Sequence, residues 1–200
     1  MTFDRRAVVL VLLVAAGACS STNQANSSGV KPAPTTTTST VRPAVTEFGA
    51  TDDVWNSHHK PAPGQKAGSA YDPDPSLPPL NGQVAPRYTF VVHDRGRIIQ
   101  LVRQLPTGTA IDQARGFAME ELPSDANVLW FAVKDTCAQM ETQSPALAQA
   151  LSANGDGGGF ALVEFTTIEP DGTQNYKADH IGGLRITASA ASTPSDAPNC

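Results

Sequence analysis

Three cysteines, four histidines and 16% charged residues leave a chain of 200 residues with few chemically reactive groups. No two cysteines stand at Cys-x-x-Cys spacing, which excludes a zinc knuckle. There is no Gly-x-Ser-x-Gly elbow, no His-Glu-x-x-His pair and no phosphate-cradling glycine loop that ends in lysine. Those gaps set aside the common serine-hydrolase, zinc-protease and nucleotide-binding architectures. Lysine and arginine number 14 against 19 acids, for a net charge of -5, and they gather on no basic stretch. Phosphate neutralisation supplies most nucleic-acid affinity, so nucleic acid is not an expected partner, and no cofactor or metal is expected either. No apolar run reaches the roughly 20 residues that a membrane-spanning helix needs.

What is present is strongly segmented. Residues 1–19 carry Arg5 and Arg6, then an apolar run over residues 7–16, then Gly17, Ala18 and Cys19. This is the three-part layout of a secretory signal peptide. The uncharged stretch 7–18 has only 12 residues, too few to span a bilayer as a mature anchor. Small residues before a cysteine resemble the lipobox of bacterial lipoproteins, with Ala16 where a larger aliphatic residue is commoner. The resemblance covers this segment alone. It implies removal of residues 1–18 and a diacylglyceryl thioether on Cys19, with further acylation such as palmitate, on the extracytoplasmic face of the cell membrane. Asp4-Arg5-Arg6-Ala7-Val8-Val9 also looks like a loose twin-arginine address, although the very apolar run favours the general secretory route.

Residues 19–46 form a tether. After Cys19 they read SSTNQANSSGVKPAPTTTTSTVRPAVT, in which only three valines could serve a core. Such a segment buries too little apolar surface to offset chain entropy. Its 27 residues give a root-mean-square reach of roughly 30 Å as a flexible chain. The Ser/Thr/Pro composition is similar to the stalks of actinobacterial envelope lipoproteins.

The folded region is expected over residues 47–188, with a polar tail at 189–200. Thr51 reads as the cap of a short helix with Asp52 and Asp53 in its first turn, Trp55 on its inner face and Pro61 as its stop. The proline-rich stretch 61–86 removes too many backbone donors for a ladder and reads as an extended loop. Tyr88, Phe90 and Val92 alternate with Thr89, Val91 and His93, a strand pattern, and Asp94-Arg95-Gly96 turns the chain into a second strand over residues 97–104. Thr109 reads as the cap of a helix bearing Ile111, Ala114, Ala118 and Leu122 at three- and four-residue intervals. Residues 128–133 are continuously apolar and read as a central strand covered on both faces. Ser144-Pro145 opens another helix, residues 160–168 form a strand, and further strands follow near 173–177 and 184–188. The order predicts an α+β fold: a mainly antiparallel or mixed sheet of about five strands, with two or three short helices packed on one face.

With Cys19 committed to lipid, Cys137 and Cys200 remain as an even pair in an oxidising compartment, and a bridge between them is expected. Closing that loop would contribute roughly 4 kcal/mol in the chain-entropy account and would pin the tail.

Four sets of polar residues invite a chemical reading. Asp52, Asp53, His58 and His59 carry metal-binding groups, but adjacent helical side chains diverge by about 100°, so both imidazoles cannot meet one ion. His93 with Asp94 and His180 with Asp179 could be acid-base pairs, yet neither has a nucleophile nearby in sequence. Asp72-Pro73-Asp74 lacks the glutamate of an EF-hand loop. Residues 154–159 are a glycine-rich connector. A packed or solvated surface accounts for each set.

The leading expectation is therefore a non-catalytic envelope module that binds a protein or wall polymer. The alternative is a small hydrolase assembled from distant residues, with His58, His93 or His180 as base. A carrier with an apolar pocket is a third reading.

Overall fold

In the computed structural model, residues 44–63, 70–80, 82–134, 137–152, 155, 158–168, 174–175 and 179–190 are described. The expectations for the signal peptide, Cys19, most of the tether, the tail beyond Ala190 and Cys200 lie outside these residues.

The first helix, α1 (Asp52–His58), begins where the Thr51 hydroxyl accepts the Val54 amide at 3.3 Å. Its two acids complement the positive end of the helix dipole. Trp55 is fully buried, as its position on the inner face predicts. The stretch 61–86 yields a short strand, β1 (Tyr71–Pro73), which pairs antiparallel with β2 (Pro86–Asp94). Proline survives there because this is the outer edge of the sheet, where a missing donor costs no ladder bond.

Strand β2 turns directly into β3 (Arg97–Thr109) through Arg95 and Gly96, whose φ angles of +47° and +75° are those of a two-residue type I′ turn. β3 runs further than residue 104. Its register against the last strand jumps between Gln104 and Thr109, and Gly108 at φ +80° supplies the bulge. Thr109 consequently ends the strand instead of capping the next helix, and its hydroxyl donates to the Pro106 carbonyl at 2.7 Å. The N-cap of α2 (Ile111–Glu120) is Ala110, whose amide is accepted by the Gln113 side chain at 3.3 Å. Ala114 and Ala118 are buried, as the three- and four-residue spacing requires.

Beyond α2 come β4 (Asn127–Lys134), β5 (Cys137–Gln143), α3 (Pro145–Leu151), β6 (Phe160–Ile168), the two-residue β7 (Gln174–Asn175) and β8 (Ile181–Ser189). Seven strands form one sheet in the order β1-β2-β3-β8-β6-β5-β4, every neighbouring pair antiparallel, while β7 pairs with the end of β6. The sheet is thus α+β as expected but larger than about five strands. β1 lay within the proline-rich stretch, and the polar sequence of β5, CAQMETQ, carries no apolar alternation.

Strand β4 is the clearest correction. Its apolar run does not mark a central strand covered on both faces; it lies at the edge, with Val128, Leu129 and Val133 exposed. The centre belongs to β8 and β6.

Directly paired residues share a face. One row of the inner face runs Val91, Leu101, Ile186, Val163, Met140, Phe131. The next runs Tyr88, Arg103, Leu184, Phe165, Ala138, Val133. Against these rows pack Trp55 of α1, Ala114 and Ala118 of α2, and Leu147 and Leu151 of α3, all in one core. The opposite face carries Phe90, Val102, Arg185, Glu164, Gln139 and Ala132 in one row, and Val92, Gln100, Thr187, Leu162, Glu141 and Trp130 in the other.

The start of α3 is held from two sides. Ser144 caps it by accepting the Leu147 amide at 3.0 Å, and Asp125 accepts the Ser144 hydroxyl at 2.5 Å and the Ala146 amide at 3.0 Å. Gly159 closes this corner at φ +66°, where an added Cβ would lie 2.3 Å from the Ser144 carbonyl oxygen and 2.6 Å from the Ala148 nitrogen. Both contacts are backbone, so neither can swing aside. Gly159→Ala is expected to destabilise the fold by about 2–4 kcal/mol, against about 1 kcal/mol for Gly96→Ala at an equally positive φ in open space. Urea unfolding of the two variants side by side measures the difference.

Candidate functional site

The densest group of polar side chains lies where α1, β1, β2, β3 and the end of α2 converge. His59, at the C-cap of α1, is the helix-end histidine that turns inward. Its Nδ1 meets Asp72 Oδ2 at 2.6 Å and its Nε2 meets Glu47 Oε2 at 2.7 Å. Asp72 is held for this task in a left-handed backbone, φ +54°, and its other oxygen accepts the Lys60 amide at 2.9 Å. The Trp55 indole stacks on the imidazole at 3.8 Å between centroids, and Tyr71 and Tyr88 meet that indole edge-on.

Burial is the largest influence on the His59 ring and works against its charge. The hydrogen bonds to Glu47 and then Asp72, with the charges of the same two groups, outweigh it and hold the pKa above the usual 6.5. With a carboxylate on each nitrogen the ring is an imidazolium that donates twice. It has no lone pair left for a substrate or a metal.

A second cluster adjoins the first. Glu121, just past α2, is almost wholly buried and accepts the Tyr88 hydroxyl at 3.1 Å on each oxygen and Arg103 at 2.5 Å. Desolvation pushes its carboxyl up to about 7, against the pull of Arg103. Arg103 also donates to the Phe117 carbonyl and to Glu120, and its guanidinium lies 4.7 Å from the Phe117 ring centroid. Burial likewise drives the Tyr88 hydroxyl pKa far upward, so it stays a donor.

The residues that the sequence grouped are distributed differently. His58 is exposed and its ring stands 6.5 Å from that of His59, while Asp52 bonds His93 Nδ1 at 2.7 Å. His93 therefore pairs with Asp52 from α1 and not with its neighbour Asp94, and its Nε2 is buried, out of reach of a substrate. His180 does meet Asp179, at 2.9 Å, on the exposed surface. Asp74 caps its own turn through Ser76 and pairs with Arg87 at 3.0 Å. Ser57 and Lys60 stand at the Ser-x-x-Lys spacing of penicillin-recognising enzymes. Ser57, however, donates to the Val54 carbonyl at 2.7 Å, and α1 ends at His58, before a further turn could bring the amine over that hydroxyl. Among the described residues no group of three or more His, Cys, Asp or Glu side chains is arranged to hold a metal ion. A recess of about 260 Å³ at the β3 bulge, lined by Pro106, Thr107, Gly108, Thr109, Gln113 and Phe117, contains no titratable side chain. Cys137 opens β5.

Sequence reading missed Glu47, Tyr88, Arg103 and Glu121 as a group because they lie up to 74 positions apart: the β2–β3 pairing sets Tyr88 beside Arg103, and the segment before α1 and the end of α2 bring in the two glutamates. The one local signal was an acid, Glu121, directly before Leu122 and Pro123 at the end of an apolar helix.

The network makes stability depend on pH with a defined sign. The folded pKa of His59 is raised, so its contribution is full below 6.5 and declines as pH rises through the higher folded value. Glu121 is raised from 4.5 to about 7, so its proton-linked stability is present below 4.5 and is lost as pH climbs through about 7. Thermal stability is expected to fall between about pH 5 and 8, by an amount on the order of 3 kcal/mol. In Glu121→Gln the part of that fall below pH 7 disappears, and in His59→Gln the part above 6.5 does, as calorimetric scans across the range would record. No family model matches this sequence, and no curated protein or solved structure matches it.

Proposed function

We propose that this chain is an exported lipoprotein, anchored through lipid on Cys19, whose α+β domain binds an extended segment of an envelope protein along the outer edge of β4. The observation that carries the proposal is the character of that edge. β4 is the terminal strand of the sheet, and among the described residues nothing pairs with its outer side. Val128 and Val133 share the inner face with Thr142 and Ala138, and Leu129 is the extra residue where the β4–β5 register shifts. All three stay exposed, at 39%, 49% and 48%. A row of unpaired backbone groups flanked by apolar side chains suits strand addition, in which main-chain hydrogen bonds supply affinity and alternate side chains supply selectivity. Only Lys134, at its very end, bears a charge that would oppose pairing. The chain-proximal tether would set the distance at which this edge works, roughly 30 Å from the membrane.

A Cys19→Ala variant is expected to lose labelled fatty acid and to leave the membrane fraction; retention of both would remove the anchor from the proposal. A photoreactive residue at Leu129 is expected to capture one discrete protein in whole cells, while the same group at Phe90, exposed on β2, captures none. Equal yields at the two positions, or an adduct that disappears on digestion of wall polymer, would replace the strand-addition reading. The bridge between Cys137 and Cys200 belongs to the same proposal, and non-reducing peptide mapping should recover it as one linked peptide pair.

A further inference from the structure

Two features where β3 meets α2 weaken the chain locally and have no packing reason. The first is the irregularity in β3. Gln104 pairs with Gly183 and Thr109 with Ile181, so four residues of β3 stand opposite the single Gly182 of β8. Leu105 stays in the core, while Pro106, Thr107 and Gly108 are exposed. Gly108 needs glycine for its φ of +80° alone, since a Cβ there would meet nothing within 4 Å. The second is Gly116, in the interior of α2, where glycine is disfavoured and a Cβ would again meet nothing within 4 Å. Both features border one hollow, the recess of about 260 Å³ that the bulge forms with Gln113 and Phe117 of α2. Helical residues three apart are neighbours, so a side chain at position 116 would lean over Gln113. Bulges of this kind recur beside binding and catalytic sites, where they re-aim side chains.

We propose that this recess binds one neutral pyranose ring, presented by a wall polymer or a glycolipid. Its lining holds no titratable side chain. Arg103, the cation beside Phe117, is committed to Glu120, Glu121 and the Phe117 carbonyl, so a charged ligand would be desolvated without compensation. The volume falls just short of the roughly 300 Å³ at which ordinary ligand pockets begin, which is room for a single ring. Phe117 supplies an aromatic wall, and the Arg103 guanidinium, 4.7 Å from its centroid, can cover only one of the two ring faces. The polar groups stand around that wall. Gln113 accepts the Ala110 amide on Oε1 at 3.3 Å, which leaves both Nε2 hydrogens to donate. The Thr109 hydroxyl gives its proton to the Pro106 carbonyl and keeps its lone pairs, and Thr107 adds an exposed hydroxyl. A pyranose matches this arrangement: one face carries C–H groups that suit the negative face of an aromatic ring, and its edge carries hydroxyls that accept from an amide. A wholly apolar ring would displace water from Gln113 and Thr107 without replacing those bonds. The recess lies four strand positions from β4 and does not depend on what that edge binds.

The test is saturation-transfer NMR on the full exported chain, with methyl β-N-acetylglucosaminide and methyl α-mannoside as separate probes and cyclohexylmethanol as an apolar ring of similar size. At least one glycoside should bind at about 1 mM, the weakness expected of so small a ligand, with the strongest transfer to the C–H protons of one ring face. Binding of the amino sugar alone points to a wall polymer and of the hexose alone to a glycolipid; each supports the site, as does binding of both. Phe117→Leu keeps an apolar side chain in place of the ring and should weaken binding at least ten-fold. Gly116→Leu should weaken it by a similar factor while raising the melting temperature, because leucine replaces glycine in an open helical position, so that loss of binding is not loss of fold. Transfer to neither glycoside, equal transfer to cyclohexylmethanol, or unchanged affinity in both variants overturns the proposal.

Discussion

Arg103 and Glu121 set the terms on which the helices meet the sheet. A carboxylate just beyond the last turn of α2 faces the negative end of that helix, a placement that is unfavourable unless a cation stands beside it. Arg103, projecting from the inner face of β3, supplies that cation and also caps α2 by donating to the Phe117 carbonyl. Tyr88 completes the coordination from β2, and the Phe48 amide donates to the Glu121 carbonyl at 3.1 Å, bringing in the segment before α1. Four separate parts of the chain are thus joined at one buried charge. Breaking a buried pair by removing one partner costs far more than the pair contributes net, because the other charge is left without compensation. The geometry therefore specifies a single docking of α2 more than it adds stability.

The neighbouring imidazolium follows the same logic. His59 is charged because two carboxylates surround it, and those carboxylates come from a loop before α1 and from β1. The outcome is a proline-rich stretch that is held in place by side-chain bonds where backbone ladder bonds are few. It also takes two of the four histidines out of acid-base chemistry: His59 has both nitrogens engaged, and His93 has its remaining nitrogen buried.

The two sides of the molecule divide their labour by burial. The inner face is an apolar core with one charged corner, while the outer face shifts from solvated at β2 to closed at β5. At the boundary stands β4, whose apolar run is exposed only because no eighth strand lies beside it among the described residues. An edge of this kind is a liability in solution, and a short bulge at Leu129 with one terminal lysine is modest protection.

Local chemistry was enough to place several elements from sequence alone. Thr51 and Ser144 cap their helices, Arg95-Gly96 turns a hairpin, and residues 160–168 form a strand, because caps and turns are decided by side chains within four positions. The expected segmentation into an export signal, a tether and a folded region is drawn from composition, and its first two parts lie almost wholly outside the described residues. Tertiary structure alone decided where each strand sits in the sheet. β4 has the composition of a central strand and occupies the edge, while β5 has almost none of that composition and lies inside with both faces buried. Hydrophobicity reports how much surface a segment could bury, but strand order depends on which backbones pair, and that is fixed by contacts between residues far apart in the chain. The Glu47–His59–Asp72 and Tyr88–Glu121–Arg103 clusters belong to the same category: their members become neighbours only once the antiparallel register has formed.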